Sequence, residues 1–454
     1  MIKSAYTQSL CVFFKFTEIQ AYIKSMKKNQ DEQIGLMDAI SIGIGGMVGG
    51  GIFAVLGLAS DLAKGGTPVA FLFAGLIALL TAYSYAKLSR AYPDKGGTVK
   101  FINKGFGISV FSGGVNNLLW ISYIVMLALY ASAFGSYAPN LYSLTGNESV
   151  DSHIYATAIV LVASAINYYS VVIVGKIESI AVFIKLVILI GFVGIGFYGL
   201  QSSTHLDQLS LSNWESPISL ISAGMIIFVA YEGFELIANA APNIIDPSKN
   251  IKRAYFGSVV FVITLYILIA IITVGSLSFD QVKEAKDYVL AEAAKPMLGQ
   301  IGFTIITIAA LISTFSAINA SLYGGSRVSY ELSEDDELPH QLTYQFWNKP
   351  IGLAITSITT IILVNILDLE SISTSGSVGF LFIFACVNYV GYKNRKEIKG
   401  RGSISLVGAI LCVIALITLI INQYNEHLSN ILIAIGIIVF CFIIEFIYKR
   451  IMRK

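Results

Sequence analysis

Apolar segments of membrane-spanning length recur along almost the whole chain, separated by short polar breaks. A transmembrane helix needs about 20 mostly apolar residues to cross the hydrocarbon core of a bilayer. Charged residues make up only 13% of the 454 residues, whereas a soluble domain carries about 25%. The sequence therefore predicts an all-α polytopic membrane protein with about 12 transmembrane helices and no sizeable soluble domain.

The predicted spans are numbered 1 to 12 in chain order. Their approximate ranges are 37–62, 68–90, 108–138, 154–173, 177–200, 216–241, 254–278, 297–329, 351–367, 372–392, 403–422 and 428–448.

Lysine and arginine are divided unequally between the two ends of these spans. The N-terminal segment, the loops after even-numbered spans and the C-terminus hold 25 of them, whereas the loops after odd-numbered spans hold 4. The positive-inside rule then places both termini in the cytoplasm. We expect a multi-pass plasma-membrane protein in contact with the lipid bilayer, with cytoplasmic tails at residues 1–36 and 449–454.

Composition gives little support to several other classes of function. The formal net charge is only +2 and no basic run is interleaved with aromatic residues, which argues against a nucleic-acid partner. The four cysteines are scattered and no His-Glu-x-x-His motif occurs, so we expect no metal site and no cofactor. The four histidines fall in loops or at span edges, which argues against an intramembrane enzyme.

Spans 1 and 6 are unfavourable as continuous helices. Six glycines occur within nine residues at 43–51, and each costs a helix about 1 kcal/mol relative to alanine. Span 6 carries Glu232, Gly233 and Glu235 at membrane depth. Close helix packing is an alternative for Gly45 and Gly49, but the consecutive glycines 49–51 favour unwinding. Interrupted spans at matching places in two halves predict an inverted-repeat transporter with a midplane site.

Three motifs resemble signatures of the amino acid/polyamine/organocation (APC) superfamily. They are Gly43-x-Gly-x-x-x-Gly-x-Gly-Ile-Phe53, Phe228-x-Ala-Tyr-x-Gly-Phe-Glu235 with the following 246–254 segment, and the 326–339 segment at the end of span 8. The resemblance implies a LeuT-type fold. It also implies a ten-helix transport core at 37–392, built from inverted repeats 37–200 and 216–392, and two additional helices at 403–448.

The same resemblance implies a site for an amino acid or amine between the two broken helices. Backbone N–H groups at the start of a half-helix favour a carboxylate, and the carbonyls that end one favour an ammonium group. The expected substrate-binding residues are Gly45, Gly49, Gly50, Gly51, Phe228, Val229, Tyr231 and Glu232. The expected gating residues are Tyr231, Phe234 and Glu235. Met47 and Val48, just before the break, either line this site or face lipid.

Glu232 stands where the family usually has an uncharged residue. A carboxylate at membrane depth is a functional-site hypothesis by default. Glu232 could pair with a cationic substrate, bind a proton, satisfy a lysine or lie in a hydrated vestibule. Because of Glu232, a polyamine remains an alternative substrate to the amino acid that the glycines favour.

Lys185 lies well inside span 5 and resembles the span 5 lysine of sodium-independent family members. Such a lysine stands where sodium-coupled relatives bind an ion, near the level of Ser313 and Thr314 in span 8. We expect Lys185, together with Glu232, to couple transport to protons. The alternative for Lys185 is that its side chain snorkels to the membrane surface. The predicted function is proton-coupled, sodium-independent amino acid transport. An exchanger, a channel and a substrate-sensing receptor are the alternatives, and the oligomeric state is left open.

Overall fold

The computed structural model describes residues 33–169, 171–334, 345–346 and 349–451. Within these ranges the chain is almost wholly helical, apart from two short strands, Gln345–Phe346 and Lys349–Pro350, which pair antiparallel. The predicted all-α class is therefore confirmed. Most of the predicted N-terminal tail, the end of the third motif and residues 452–454 lie outside the described residues.

Ten described helices are long and apolar enough to cross a membrane, and a bent pair of helices makes an eleventh candidate span. The bent pair is span 1, with Leu36–Met47 as span 1a and Gly51–Ala63 as span 1b. The long helices of the other candidate spans are Thr67–Ala91 (span 2), Val110–Tyr137 (span 3), Glu148–Tyr169 (span 4), Val171–Leu200 (span 5), Pro217–Ile226 with Leu236–Ala240 (span 6), Pro247–Ser276 (span 7), Val289–Glu334 (span 8), Leu369–Lys393 (span 10), Gly402–Glu426 (span 11) and Leu428–Ile451 (span 12).

The helix at the predicted position of span 9 is shorter than the others. Ile351–Ile366 has 16 residues, which corresponds to a length of about 24 Å at 1.5 Å per residue. The predicted polytopic membrane class is thus confirmed, although this ninth segment is shorter than a typical membrane span.

Short helices and turns connect the spans. Thr98–Phe106 follows span 2, and Phe279–Glu284 follows span 7. Span 8 is kinked at Gly299, whose φ of +60° separates a first segment from the main helix. The 3₁₀ turns are Ala138–Asn140, Leu206–Leu209, Leu211–Asn213, Ile227–Tyr231, Ala241–Asn243 and Lys286–Tyr288.

The spans differ sharply in how much of their surface the protein buries. Between 83 and 89% of the most apolar segment is buried in spans 3, 6 and 10, but only 22 to 33% in spans 4, 5, 11 and 12. In span 5 the exposed residues follow one helical stripe, Ile180, Phe183, Val187 and Ile190. The weakly buried spans therefore form a lipid-facing periphery around a protein-filled centre that contains the break in span 6.

Equivalent spans of the two predicted halves pack against each other. Span 2 packs along span 7, and span 3 packs along span 8. Gly51 of span 1b lies directly against Ala230 of span 6. Contacts between equivalent helices are compatible with an inverted repeat whose twofold axis lies in the membrane plane. The repeat itself stays a prediction.

Candidate substrate site at two helix breaks

Span 1 is broken where its glycines cluster. Span 1a ends at Met47, span 1b begins at Gly51, and the two segments are bent by 48°. The first N–H groups of span 1b have no partner within the helix, because an α-helix leaves its first four donors unpaired. Both Met47 and Val48 are buried, so the lipid-facing alternative for them is wrong. The predicted break in span 1 is confirmed.

The glycines at this break allow very close packing. A Cβ atom added to Gly50 would overlap the ring of Tyr130 in span 3, and one added to Gly51 would lie 2.9 Å from the Cα of Ala230 in span 6. At Gly49 it would lie 2.8 Å from the Cβ of Ala317. These separations are shorter than ordinary carbon contacts of about 3.5 Å. The glycines are therefore needed for close approach as well as for the break.

Span 6 is broken just after its 3₁₀ turn, and this prediction is also confirmed. Residues 232–235 are not helical, and Gly233 has a φ of +114°, a conformation that residues with a Cβ rarely adopt. A Cβ added to Gly233 would also lie 2.6 Å from the Met47 nitrogen, and one added to Gly46 would lie 2.8 Å from the Gly233 Cα. The two breaks therefore contact each other backbone to backbone.

Hydroxyl groups from three neighbouring spans bind the backbone of both breaks. The Tyr266 hydroxyl in span 7 lies 2.6 Å from the Met47 carbonyl oxygen and 3.2 Å from that of Ala230. It therefore joins span 1a to span 6 through one donor. Sequence reasoning missed this residue because a tyrosine in a membrane span is more commonly a packing residue.

Serines of spans 8 and 10 act in the same way. Ser313 donates to the Val48 carbonyl at 3.0 Å and also contacts that of Gly49. Ser373 and Ser377 each donate to the Ile226 carbonyl at 2.8 Å, and Ser377 accepts a hydrogen bond from the Val229 N–H at 3.0 Å. The two span 10 serines were not predicted, although a polar run at 371–377 within an apolar span is a visible signal.

Thr314, which sequence analysis paired with Ser313, differs from it in this structure. Its hydroxyl donates to the Ala310 carbonyl of its own helix at 2.7 Å. Of the two hydroxyl groups, only that of Ser313 is hydrogen-bonded to the broken part of span 1, and Thr314 faces Gly50 with its methyl group.

Lys185 is fully buried and lies against span 1a. Its Nζ donates to the Gly45 carbonyl at 3.1 Å. The side chain therefore does not snorkel to the surface, and that alternative is wrong. Gly45, predicted to bind substrate, has its carbonyl in contact with this lysine.

Two carboxyl groups are buried at the span 6 break. Only 4% of Glu232 and 1% of Glu235 is exposed, so neither lies in an open vestibule. Glu235 accepts from the Gly233 N–H at 2.8 Å and the Tyr123 hydroxyl at 3.3 Å, while Glu232 accepts from the Tyr130 hydroxyl at 3.4 Å.

The Glu232 and Glu235 carboxyl groups also lie close enough to interact electrostatically. Two buried carboxyl groups that share a site do not both ionise readily, because their negative charges repel each other. Among the described residues no lysine or arginine forms an ion pair with Glu232. The site therefore contains a pair of buried, interacting carboxyl groups.

The aromatic residues predicted for substrate binding and gating are all buried but fall into two groups. Phe228 and Phe234 both pack on Phe384 of span 10, with ring centroids 5.9 and 5.2 Å apart. Tyr231 instead packs on Tyr266 at 5.3 Å and donates to the Phe71 carbonyl of span 2 at 2.8 Å. The three aromatics thus do not form a single cluster.

The Tyr266 hydroxyl is predicted to contribute measurably to stability. Tyr266→Phe leaves two buried carbonyls without this donor, and we expect the free energy of unfolding to fall by about 1–3 kcal/mol. The measurement is the thermal unfolding midpoint in detergent. Tyr198→Phe is the control because Tyr198 is 79% exposed, and equal midpoints for both variants would contradict the bridging role.

Comparison with known proteins shows the family of this chain. Residues 34–444 match the family described as amino acid permease. An uncharacterised protein of Methanocaldococcus jannaschii is 33% identical over 429 residues, which cover 94% of this chain and 97% of that protein. The inner membrane transport protein YbaT of Escherichia coli is 32% identical over 423 residues, with coverages of 93% and 97%.

A more distant relative is chloroplastic cationic amino acid transporter 9 of Arabidopsis thaliana. It is 24% identical over 416 residues, which cover 84% of this chain and 71% of that protein. The family match spans most of the chain, and the family was also the one indicated by the motifs of spans 1, 6 and 8. The chain therefore belongs to the amino acid permease family of membrane transporters.

Proposed function

We propose that this transporter is a proton-coupled, sodium-independent amino acid permease of the plasma membrane that works by alternating access between its two repeats. The observation that carries the proposal is the buried Lys185 ammonium group, 3.1 Å from the Gly45 carbonyl of broken span 1. A lysine placed in this way can gain and lose a proton as span 1a moves toward or away from it. Proton exchange is thereby linked to the position of a helix that borders the substrate site.

The same lysine supports independence from sodium. When protonated it puts a positive charge between spans 1 and 5, at the level where Ser313 contacts the Val48 and Gly49 carbonyls. A sodium ion bound to those carbonyls would lie close to a like charge in a medium of low dielectric constant, which is strongly unfavourable. One proton moving down 100 mV provides about 2.3 kcal/mol, enough for about 50-fold accumulation of a neutral substrate.

The two breaks offer complementary ends to a zwitterion. The glycine segment at 49–51 provides N–H groups at the positive end of span 1b, which suit a carboxylate. In span 6 the Ala230 carbonyl is bound by Tyr266 and that of Val229 by the Glu232 N–H. The Phe228 carbonyl lies within the 3₁₀ turn, so the Tyr231 carbonyl at the end of that turn is our choice of acceptor for the substrate ammonium group.

A polyamine is the second candidate substrate, and Glu232 is the residue that would bind it. Its carboxyl group already contacts Tyr130 and Glu235. A second ammonium group would have to displace those contacts, whereas an amino acid leaves them intact. The geometry therefore favours an amino acid.

Uptake into proteoliposomes tests the proposal. A panel of labelled amino acids and polyamines is offered with and without an inward proton gradient, in the absence of sodium. We expect saturable, gradient-stimulated accumulation of an amino acid. Accumulation only against preloaded substrate would identify an exchanger instead, and uptake of polyamines alone would overturn the substrate assignment.

Lys185→Ala is expected to abolish stimulation by the proton gradient, because the variant lacks the group that carries the proton. Counterflow of substrate needs no net driving force and reports whether the variant still folds and binds. Lys95→Ala removes an exposed lysine and is expected to behave like the wild type. Unchanged gradient-driven uptake in Lys185→Ala would refute the proton role.

Glu232→Gln keeps the size of the side chain but removes an ionisable partner from the carboxyl pair. We expect the pH profile of uptake to change, since Glu235 would then titrate without an ionisable neighbour. The profile is measured from initial uptake rates over a series of external pH values. An unaltered profile together with unaltered substrate affinity would remove Glu232 from the mechanism.

Gly50→Ala is expected to abolish substrate binding, because its Cβ would overlap the Tyr130 ring at the start of span 1b. Binding is measured by scintillation proximity with the substrate that the uptake panel identifies. Gly436→Ala is the matched control, since nothing lies within 4 Å of a Cβ at that position. Wild-type affinity in a folded Gly50→Ala variant would rule out the carboxylate cradle.

A further inference from the structure

A basic pocket lies away from the helix breaks, at the end of the spans where the lysine- and arginine-rich loops emerge. It has a volume of about 600 Å³ and lies between spans 2, 7 and 11. Five cationic residues line it: Lys87 and Arg90 of span 2, Lys252 of span 7, and Lys399 and Arg401 just before span 11. None of the residues proposed for transport takes part in it.

The charges in this pocket are not balanced by protein carboxylates. No aspartate or glutamate lines the pocket, and within the described part of the chain none of the five cations forms an ion pair. The charges of Arg90, Lys252 and Arg401 all act unfavourably on the Lys87 ammonium group. Like charges held together in this way are stabilised when an anion binds among them.

Hydrogen bonds fix the pocket in place. The Lys87 Nζ donates to the Lys399 carbonyl at 3.0 Å, and the Arg401 N–H donates to the Tyr83 hydroxyl oxygen at 2.6 Å. Both bonds fasten the segment before span 11 to span 2. The cations are therefore brought together by a defined packing of the segment against span 2.

Two helix N-termini add to the attraction for an anion. Span 7 begins at Pro247 and span 11 at Gly402, and neither N-cap residue, Asp246 or Arg401, makes a side-chain capping bond. Ser248 in the first turn of span 7 lines the pocket, whereas Asp246 does not. Unpaired N–H groups and the positive ends of two helix dipoles thus border the same space as the five cations.

The three helices that form the pocket also expose apolar residues beyond it. Spans 7 and 11 each pack against span 2, and Phe256 and Ile404 form walls of the pocket. Further into the membrane each of the three helices exposes an apolar residue: Leu76 is 44% exposed, Val260 48% and Val407 47%. A ligand that fits this surface has an anionic head and apolar chains.

We propose that the pocket binds the phosphate headgroup of an anionic membrane phospholipid, whose acyl chains lie along spans 2, 7 and 11. The cations and helix N-termini recognise the phosphate, and the apolar surface distinguishes a lipid from a soluble phosphate ester. Basic pockets between transmembrane helices are suited to such headgroups. The lipid would join the segment before span 11 to the ends of spans 2 and 7.

Native mass spectrometry of the purified full-length protein, titrated with dioleoyl-phosphatidylglycerol or dioleoyl-phosphatidylcholine, tests this. We expect preferential binding of the first phosphatidylglycerol molecule. The double variant K252Q/R401Q should bind it about 30-fold more weakly, given about fivefold per basic residue near a membrane surface. The charge-conserving double variant K252R/R401K should keep its affinity within about threefold, since both residues stay cationic.

The matched control is R253Q/K95Q, which removes two charges from the same end of the protein but outside the pocket. It is expected to bind phosphatidylglycerol like the wild type. Equal losses in K252Q/R401Q and R253Q/K95Q would overturn the site, because general surface charge would then account for binding. Glycerol 1-phosphate and inorganic phosphate are added as competitors, and displacement of the lipid by either at similar concentration would assign the pocket to a soluble phosphate instead.

Discussion

The structure depends on one requirement of the bilayer, namely that backbone polar groups at membrane depth find hydrogen-bond partners within the protein. Breaking two helices releases carbonyls that water cannot satisfy there. Tyr266, Ser313 and Ser377 bind backbone groups at the breaks from spans 7, 8 and 10, and Lys185 binds the nearby Gly45 carbonyl from span 5. The breaks must therefore lie at the centre, and the helices that bring these donors must surround them.

Hydroxyl groups of span 3 bind the carboxyl groups at the span 6 break, as those of spans 7, 8 and 10 bind the backbone. Tyr123 and Tyr130 are seven residues apart, about two helical turns, and so share one face of the helix. Tyr123 reaches Glu235 and Tyr130 reaches Glu232. Span 3 thereby contacts both members of the carboxyl pair from outside span 6.

The sequence predicted the features that have a local signal. Clustered glycines and carboxylates in apolar segments identified both breaks, and the depth of Lys185 identified its burial. The roles of Tyr266 and Ser377 were not predicted, because they depend on partners 219 and 148 residues away in the sequence. The Thr98–Phe106 helix was not predicted either, for another reason. A helix of nine residues is marginal by itself and owes its stability to packing.

The contact between Gly46 and Gly233 has a mechanical consequence. Interlocked side chains must repack before two helical segments can shift against each other. The contact between Gly46 and Gly233 is made by main-chain atoms and has no side chains to repack. Span 1a can slide over the span 6 break without any rotamer change at this point. Any resistance to movement of span 1a must then come from its other contacts, which include its packing on span 7 and the hydrogen bonds from Tyr266 and Lys185.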